Sequence, residues 1–135
     1  MADSLKYIGI LVLGQGSRLP YNRELIESTA SMIRNVHPGP VRTAYLNTNE
    51  PDIHAGLQSF TGTKIKKIVA LPIFLNSGVH VSEHIPRELG MNGTGKAVLC
   101  QDGEKIDILL ALPLGADKCI ANLAYQRFLA CCEHV

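Results

Sequence analysis

The sequence predicts a single α/β domain over residues 1–135: a three-layer α/β/α fold around a mainly parallel four-stranded sheet. Three observations carry that expectation. Short apolar runs alternate with stretches of helical periodicity, the pattern of βαβ units. The run at 7–13 is continuous and apolar, as a strand buried on both faces is. The chain has 135 residues, one domain's length, and a domain of that size buries about two-thirds of its unfolded surface without help from disulfides or structural metal.

The elements follow in order. The first strand, 7–13, is broken by Gly14-Gln15-Gly16-Ser17. Leu25, Thr29, Met32, Ile33 and Val36 then fall on one face of a helix over 21–36, which His37-Pro38-Gly39-Pro40 stops. A second strand spans 41–46. Asn49-Glu50-Pro51-Asp52 opens a helix that carries Ile53, Leu57 and Phe60 and ends at Gly62. The third strand, 67–74, loses regularity near Pro72, which has no N–H to give a ladder. Residues 79–89 form a short helix disturbed by Pro86. Residues 91–103 read as loop or irregular hairpin. A fourth strand, 106–112, leads into a helix over 116–132, with Ile120, Leu123, Ala124, Phe128 and Cys131 expected to face inward.

Composition excludes some function classes. Thirteen basic residues stand against 12 acidic ones, a net charge of +1. Bulk electrostatics therefore offers nothing to nucleic acid or a membrane surface, and neither is expected as a partner. The run at 8–13 is too short to cross a bilayer. The four cysteines include no C-x-x-C pair, so reduced thiols and a cytoplasmic location are expected.

In a sheet of this kind the functional loops lie beyond the carboxyl ends of the strands. Two qualify: 14–20 and 74–80. In the first, Gly14-Gln15-Gly16 lets backbone N–H groups approach an anion at a helix start, and Arg18 adds a charge. By spacing alone this is equally an ordinary tight turn, and without a third glycine it is not a dinucleotide fingerprint. Tyr21 and Asn22 open the next helix on the same rim. In the second, His80 follows Asn76-Ser77-Gly78-Val79; neutral imidazole ligates Ni²⁺, Co²⁺ or Zn²⁺ and accepts a proton near neutral pH, or simply lies in solvent. His80-Val81-Ser82-Glu83-His84 also matches the zinc-peptidase pattern H-x-x-E-H, but Pro86 spoils the helix that such a site requires. His37 and His54 read as structural or solvated. Cys131-Cys132-Glu133-His134 could hold a soft metal, although Cys131 is more simply a core residue.

Taken together the two loops are specific. Val12-Leu13-Gly14-Gln15-Gly16-Ser17-Arg18, followed by Tyr21-Asn22, resembles the opening of the small single-domain class II sirohydrochlorin chelatases, which insert cobalt or nickel during cobalamin and methanogenic nickel-tetrapyrrole synthesis. Leu71-Pro72-Ile73-Phe74-Leu75-Asn76-Ser77-Gly78-Val79-His80-Val81, running to Ile85-Pro86, looks like their second signature, and Pro113-Leu114-Gly115-Ala116-Asp117 like their last strand-to-helix junction.

The resemblance implies a fold like half of the two-lobed ferrochelatase architecture, a homodimer, sirohydrochlorin as substrate, Ni²⁺ or Co²⁺ as substrate metal, and no organic cofactor. It places the metal on two histidines. One matches His80; the other falls on Gln15. Gln15 leaves three accounts open: an introduced substitution, a natural variant in which His80 does most of the chemistry, or a paralogue that binds tetrapyrrole without metalating it. His84 stands where an acidic residue is expected. The implied division of labour gives the macrocycle's carboxylates to Gly16, Ser17, Arg18, Asn76, Ser77, Gly78 and Val79. Metal delivery and proton removal fall to His80, with Gln15 orienting the metal's water or contacting the macrocycle from the first loop. A generic flavodoxin-like anion or nucleotide binder on the first loop is the alternative from another class.

Overall fold

The computed structural model describes residues 2–91 and 93–133. The described residues form α1 (Ala2–Leu5), β1 (Ile8–Gly14), α2 (Tyr21–Arg34), β2 (Val41–Tyr45), α3 (Ile53–Gln58), β3 (Lys67–Pro72), a π-helical turn (His80–His84) continuing into α4 (Ile85–Leu89), β4 (Lys96–Gln101), β5 (Glu104–Leu110) and α5 (Lys118–Cys132). The sheet has five strands in the order β2-β1-β3-β5-β4. All neighbours run parallel except β4, which pairs antiparallel with β5.

The α/β class and the parallel centre agree with expectation; the strand count does not. The missed strand is β4, inside the stretch read as loop or irregular hairpin. Its signal is weak because it is an edge strand, exposed at Lys96, Val98 and Cys100. The turn that joins it to β5 is nevertheless written in the sequence. Asp102 and Gly103 both take positive φ, 51° and 78°, as a two-residue hairpin requires. α1 was not anticipated either.

Two apolar clusters sandwich the sheet. On one face Leu11, Leu13, Ile68, Ala70, Ile106 and Ile108 meet Ile53, Leu57, Phe60, Val81, Ile85 and Leu89 from α3, the π-turn and α4. On the other, Val12, Val41 and Tyr45 meet Ile26 and Ala30 of α2. Fully burying a side chain of this size contributes about 1.5–3 kcal/mol, so these contacts hold the strand ends in place. The second face is covered only over β1 and β2. α5 was expected to hold Ile120, Leu123, Ala124, Phe128 and Cys131 inward; instead no α5 residue is buried. Helical spacing alone does not say what covers a helix's apolar residues.

Candidate functional site

β1 and β3 are neighbours, with Leu13 opposite Pro72, so their loops leave the sheet side by side. The Ile73 N–H donates to the Leu13 carbonyl at 3.0 Å and carries the pairing one residue beyond the strand. Fold topology thus brings Gln15–Arg18 and Asn76–His80, far apart in sequence, to one rim.

The first loop is locked. The Gly16 N–H donates to Asn22 Oδ1 and the Ser17 N–H to Asn49 Oδ1, both at 2.9 Å. The Asn47 N–H donates to the Gln15 carbonyl at 3.1 Å. Gly16 has φ +82°, and a Cβ there would run into the Asn47 carbonyl. Glycine is required for both reasons. The Gly16 and Ser17 N–H groups, expected to grip carboxylates, already have side-chain acceptors that hold the loop's shape. What the loop offers outward is side chains. The Gln15 carboxamide and the exposed Arg18 guanidinium have no hydrogen-bond or ion-pair partner among the described residues. α2 begins here without a side-chain cap, behind Pro20, with Tyr21 exposed.

The second loop is open. Asn76, Ser77, Gly78, Val79 and His80 are all exposed. The N–H groups of Ser77 and Gly78 have no protein acceptor among the described residues, and nothing lies within 4 Å of a Cβ built on Gly78. Its carbonyls are used elsewhere: Phe74 and Leu75 accept from the N–H groups of Leu114 and Gly115 at 2.8 and 2.7 Å. The loop is thereby tied to the junction before α5, the third stretch singled out by resemblance. Ser82 caps the Gly78 carbonyl through both N–H and Oγ, at 2.9 and 2.8 Å.

His80 begins the π-turn. Its ring lies 6.4 Å from Phe74 and 5.8 Å from His84, centre to centre. His84 is half-buried and its Nε2 is 3.9 Å from Glu88 Oε1. No cluster of three or more His, Cys, Asp or Glu side chains able to hold a metal occurs among the described residues. His37 is structural, its Nε2 2.8 Å from the Ile8 carbonyl. His54 is exposed on α3. Cys131 and Cys132 are free and exposed, and His134 lies outside the described residues.

Sequence reasoning missed the third rim loop, after β2. Asn47 and Asn49 shape the first loop from there. Below them Glu27 Oε2 accepts from Thr43 Oγ1 and Tyr45 Oη, each at 2.7 Å. Burial, reinforced by the bond to Glu27 and its charge, pushes the Tyr45 phenol well above its ordinary range and keeps it a donor. The polar run Leu46-Asn47-Thr48-Asn49 directly after a strand was the available signal.

The CbiX family model matches residues 9–131. A sirohydrochlorin cobaltochelatase of Methanosarcina barkeri is 40% identical over 121 residues, covering 89% of this chain and 93% of the relative. Two solved structures share the fold. One is the sirohydrochlorin chelatase SirB from Bacillus subtilis subspecies spizizenii, in complex with cobalt: TM-score 0.72, 20% identity, 91% of this chain. This chain spans 50% of SirB's length. The other is a CbiX protein from Marinobacter aquaeolei VT8: TM-score 0.70, 19% identity, 95% of this chain and 99% of that one.

Proposed function

Because this chain belongs to the CbiX family, we propose that it inserts a divalent metal ion, Co²⁺ or Ni²⁺, into sirohydrochlorin, working in the cytoplasm as a homodimer. The observation that carries the reading is the second rim loop: an exposed imidazole, His80, beside the unpaired N–H groups of Ser77 and Gly78.

The chemistry requires grip, delivery and deprotonation. Sirohydrochlorin presents carboxylates around a ring with two inner N–H protons. The free N–H groups of Ser77 and Gly78 and the Arg18 guanidinium each suit a carboxylate, and charge-assisted bonds of this kind are about twice as strong as neutral ones. Asn76 and Val79 shape the same loop. His80 holds the substrate metal through one ring nitrogen. One histidine with few helpers binds weakly, which favours hand-over to four ring nitrogens. As the ring binds the metal, its two N–H protons leave; the freed His80 accepts one and solvent the other. Gln15 is a neutral donor from the facing loop, able to position the ion through its amide oxygen but not to accept a proton. The product is the metallated macrocycle and two protons, with no redox step.

Anaerobic absorbance of sirohydrochlorin with Co²⁺ or Ni²⁺, with and without the protein, tests this. Accelerated conversion to the metallated spectrum is expected, and the faster ion names the physiological metal. A shifted spectrum without acceleration would instead mark a tetrapyrrole-binding paralogue. Gln15→His then reports whether the missing imidazole limits the rate.

A further inference from the structure

His80 and His84 stand at the two ends of the π-helical turn, and their rings meet. In that turn the Ile85 N–H reaches back to the His80 carbonyl. Pro86, next in the chain, has no N–H with which to restore α-helical bonding to Ser82. Residues spaced i and i+4 share one side of a helical coil. Here the two ring centres are 5.8 Å apart, with their planes inclined at 42°. A π-turn is rare, and it occurs most often at functional sites. Pro86, which argues against a zinc-peptidase helix, does not keep the two imidazoles apart.

An ion bound to one imidazole nitrogen at about 2.1 Å stands about 3.2 Å from the ring centre. Two rings on one ion are then about 4.5 Å apart, centre to centre, at a right angle and about 5.2 Å apart at the tetrahedral angle. The 5.8 Å between His80 and His84 exceeds the tetrahedral value by about 0.6 Å. A small rotation of the exposed His80 side chain closes that gap. His84 is half-buried, with Glu88 Oε1 3.9 Å from its Nε2. A carboxylate there favours the tautomer that carries its proton on Nε2, which leaves the lone pair on Nδ1. A carboxylate behind a histidine is the usual outer partner of a metal-ligating imidazole.

We propose that His84 is a second protein ligand of the substrate metal: His80 and His84 clamp one Co²⁺ or Ni²⁺ ion across the π-turn before the macrocycle takes it. Imidazole suits both metals. No third His, Cys, Asp or Glu side chain completes a metal-holding cluster with them among the described residues. A closed four-ligand site is the kind that retains its metal, whereas a site that acts on its metal keeps positions open. Two imidazoles therefore fix the ion in place and leave its other positions to water and then to the ring nitrogens. The clamp rests on the reading of His80 as the residue that holds the metal, and adds a second residue to it.

The test is binding of Co²⁺ alone, without sirohydrochlorin, to the whole chain under anaerobic conditions, for the wild type, His80→Ala and His84→Ala. Hyperfine-shifted ring N–H signals in the proton NMR spectrum count the imidazoles on the ion, and their growth with added Co²⁺ gives the affinity. These signals separate the clamp from the four exposed cysteines, whose thiolates carry no ring N–H. The wild type is expected to show two shifted ring signals. Each variant should show one and bind Co²⁺ at least tenfold more weakly, with unchanged circular dichroism. His84→Asn serves in place of His84→Ala should that variant misfold. Unchanged affinity in His84→Ala beside a loss in His80→Ala would overturn the clamp and leave His80 as the metal holder. Unchanged affinity in both would overturn the clamp together with the reading beneath it. A wild type with a single shifted ring signal would also overturn the clamp.

Discussion

The two rim loops leave adjacent strands at the same level, yet they treat their backbones in opposite ways. In the first, the N–H groups of Gly16 and Ser17 are held by Asn22 and Asn49, while the side chains of Gln15 and Arg18 have no partner among the described residues. In the second, carbonyls are paired with the junction before α5 while the N–H groups of Ser77 and Gly78 have no acceptor among the described residues. Rigidity sits on one side of the rim and open valence on the other, and His80 is on the open side.

This contrast can be broken at measurable points. The largest effect is expected from His80→Ala: loss of the metal-holding base should lower the insertion rate by about 10²–10⁴-fold with unchanged circular dichroism, because the side chain is exposed. Next is Gly16→Ala. A left-handed residue and a collision with the Asn47 carbonyl together should cost about 3 kcal/mol in urea unfolding. Asn49→Ala leaves the half-buried Ser17 N–H without its acceptor and should cost about 1–2 kcal/mol, with the first loop loosened. Smallest is Gly78→Ala: open space and no positive φ should hold the change within about 1 kcal/mol of wild type. Similar costs at Gly16 and Gly78 would erase the contrast.

Much of this was legible in the sequence. β1 and β3 are continuous apolar runs, and the loops beyond them could be placed on one rim from topology rules alone. His80 followed from its position after β3. What escaped depended on distance or on partners. The bond from Ser17 to Asn49 joins residues 32 apart in sequence and leaves no local pattern, so the first loop's amides looked available. β4 alternates polar and apolar residues weakly because one of its faces is bare. The inward face assigned to α5 rested on spacing alone, and no α5 residue is buried. Gln15 was legible as a departure, and the structure adds that its carboxamide stands unpaired on the locked loop.

The central claim is that the open loop, through His80, carries the metal chemistry and the locked loop only positions. Measuring initial rates of Co²⁺ insertion into sirohydrochlorin for His80→Ala and Gln15→Ala side by side tests it most directly. The account predicts a loss at least tenfold larger for His80→Ala. Equal losses, or a larger one at Gln15, would contradict it.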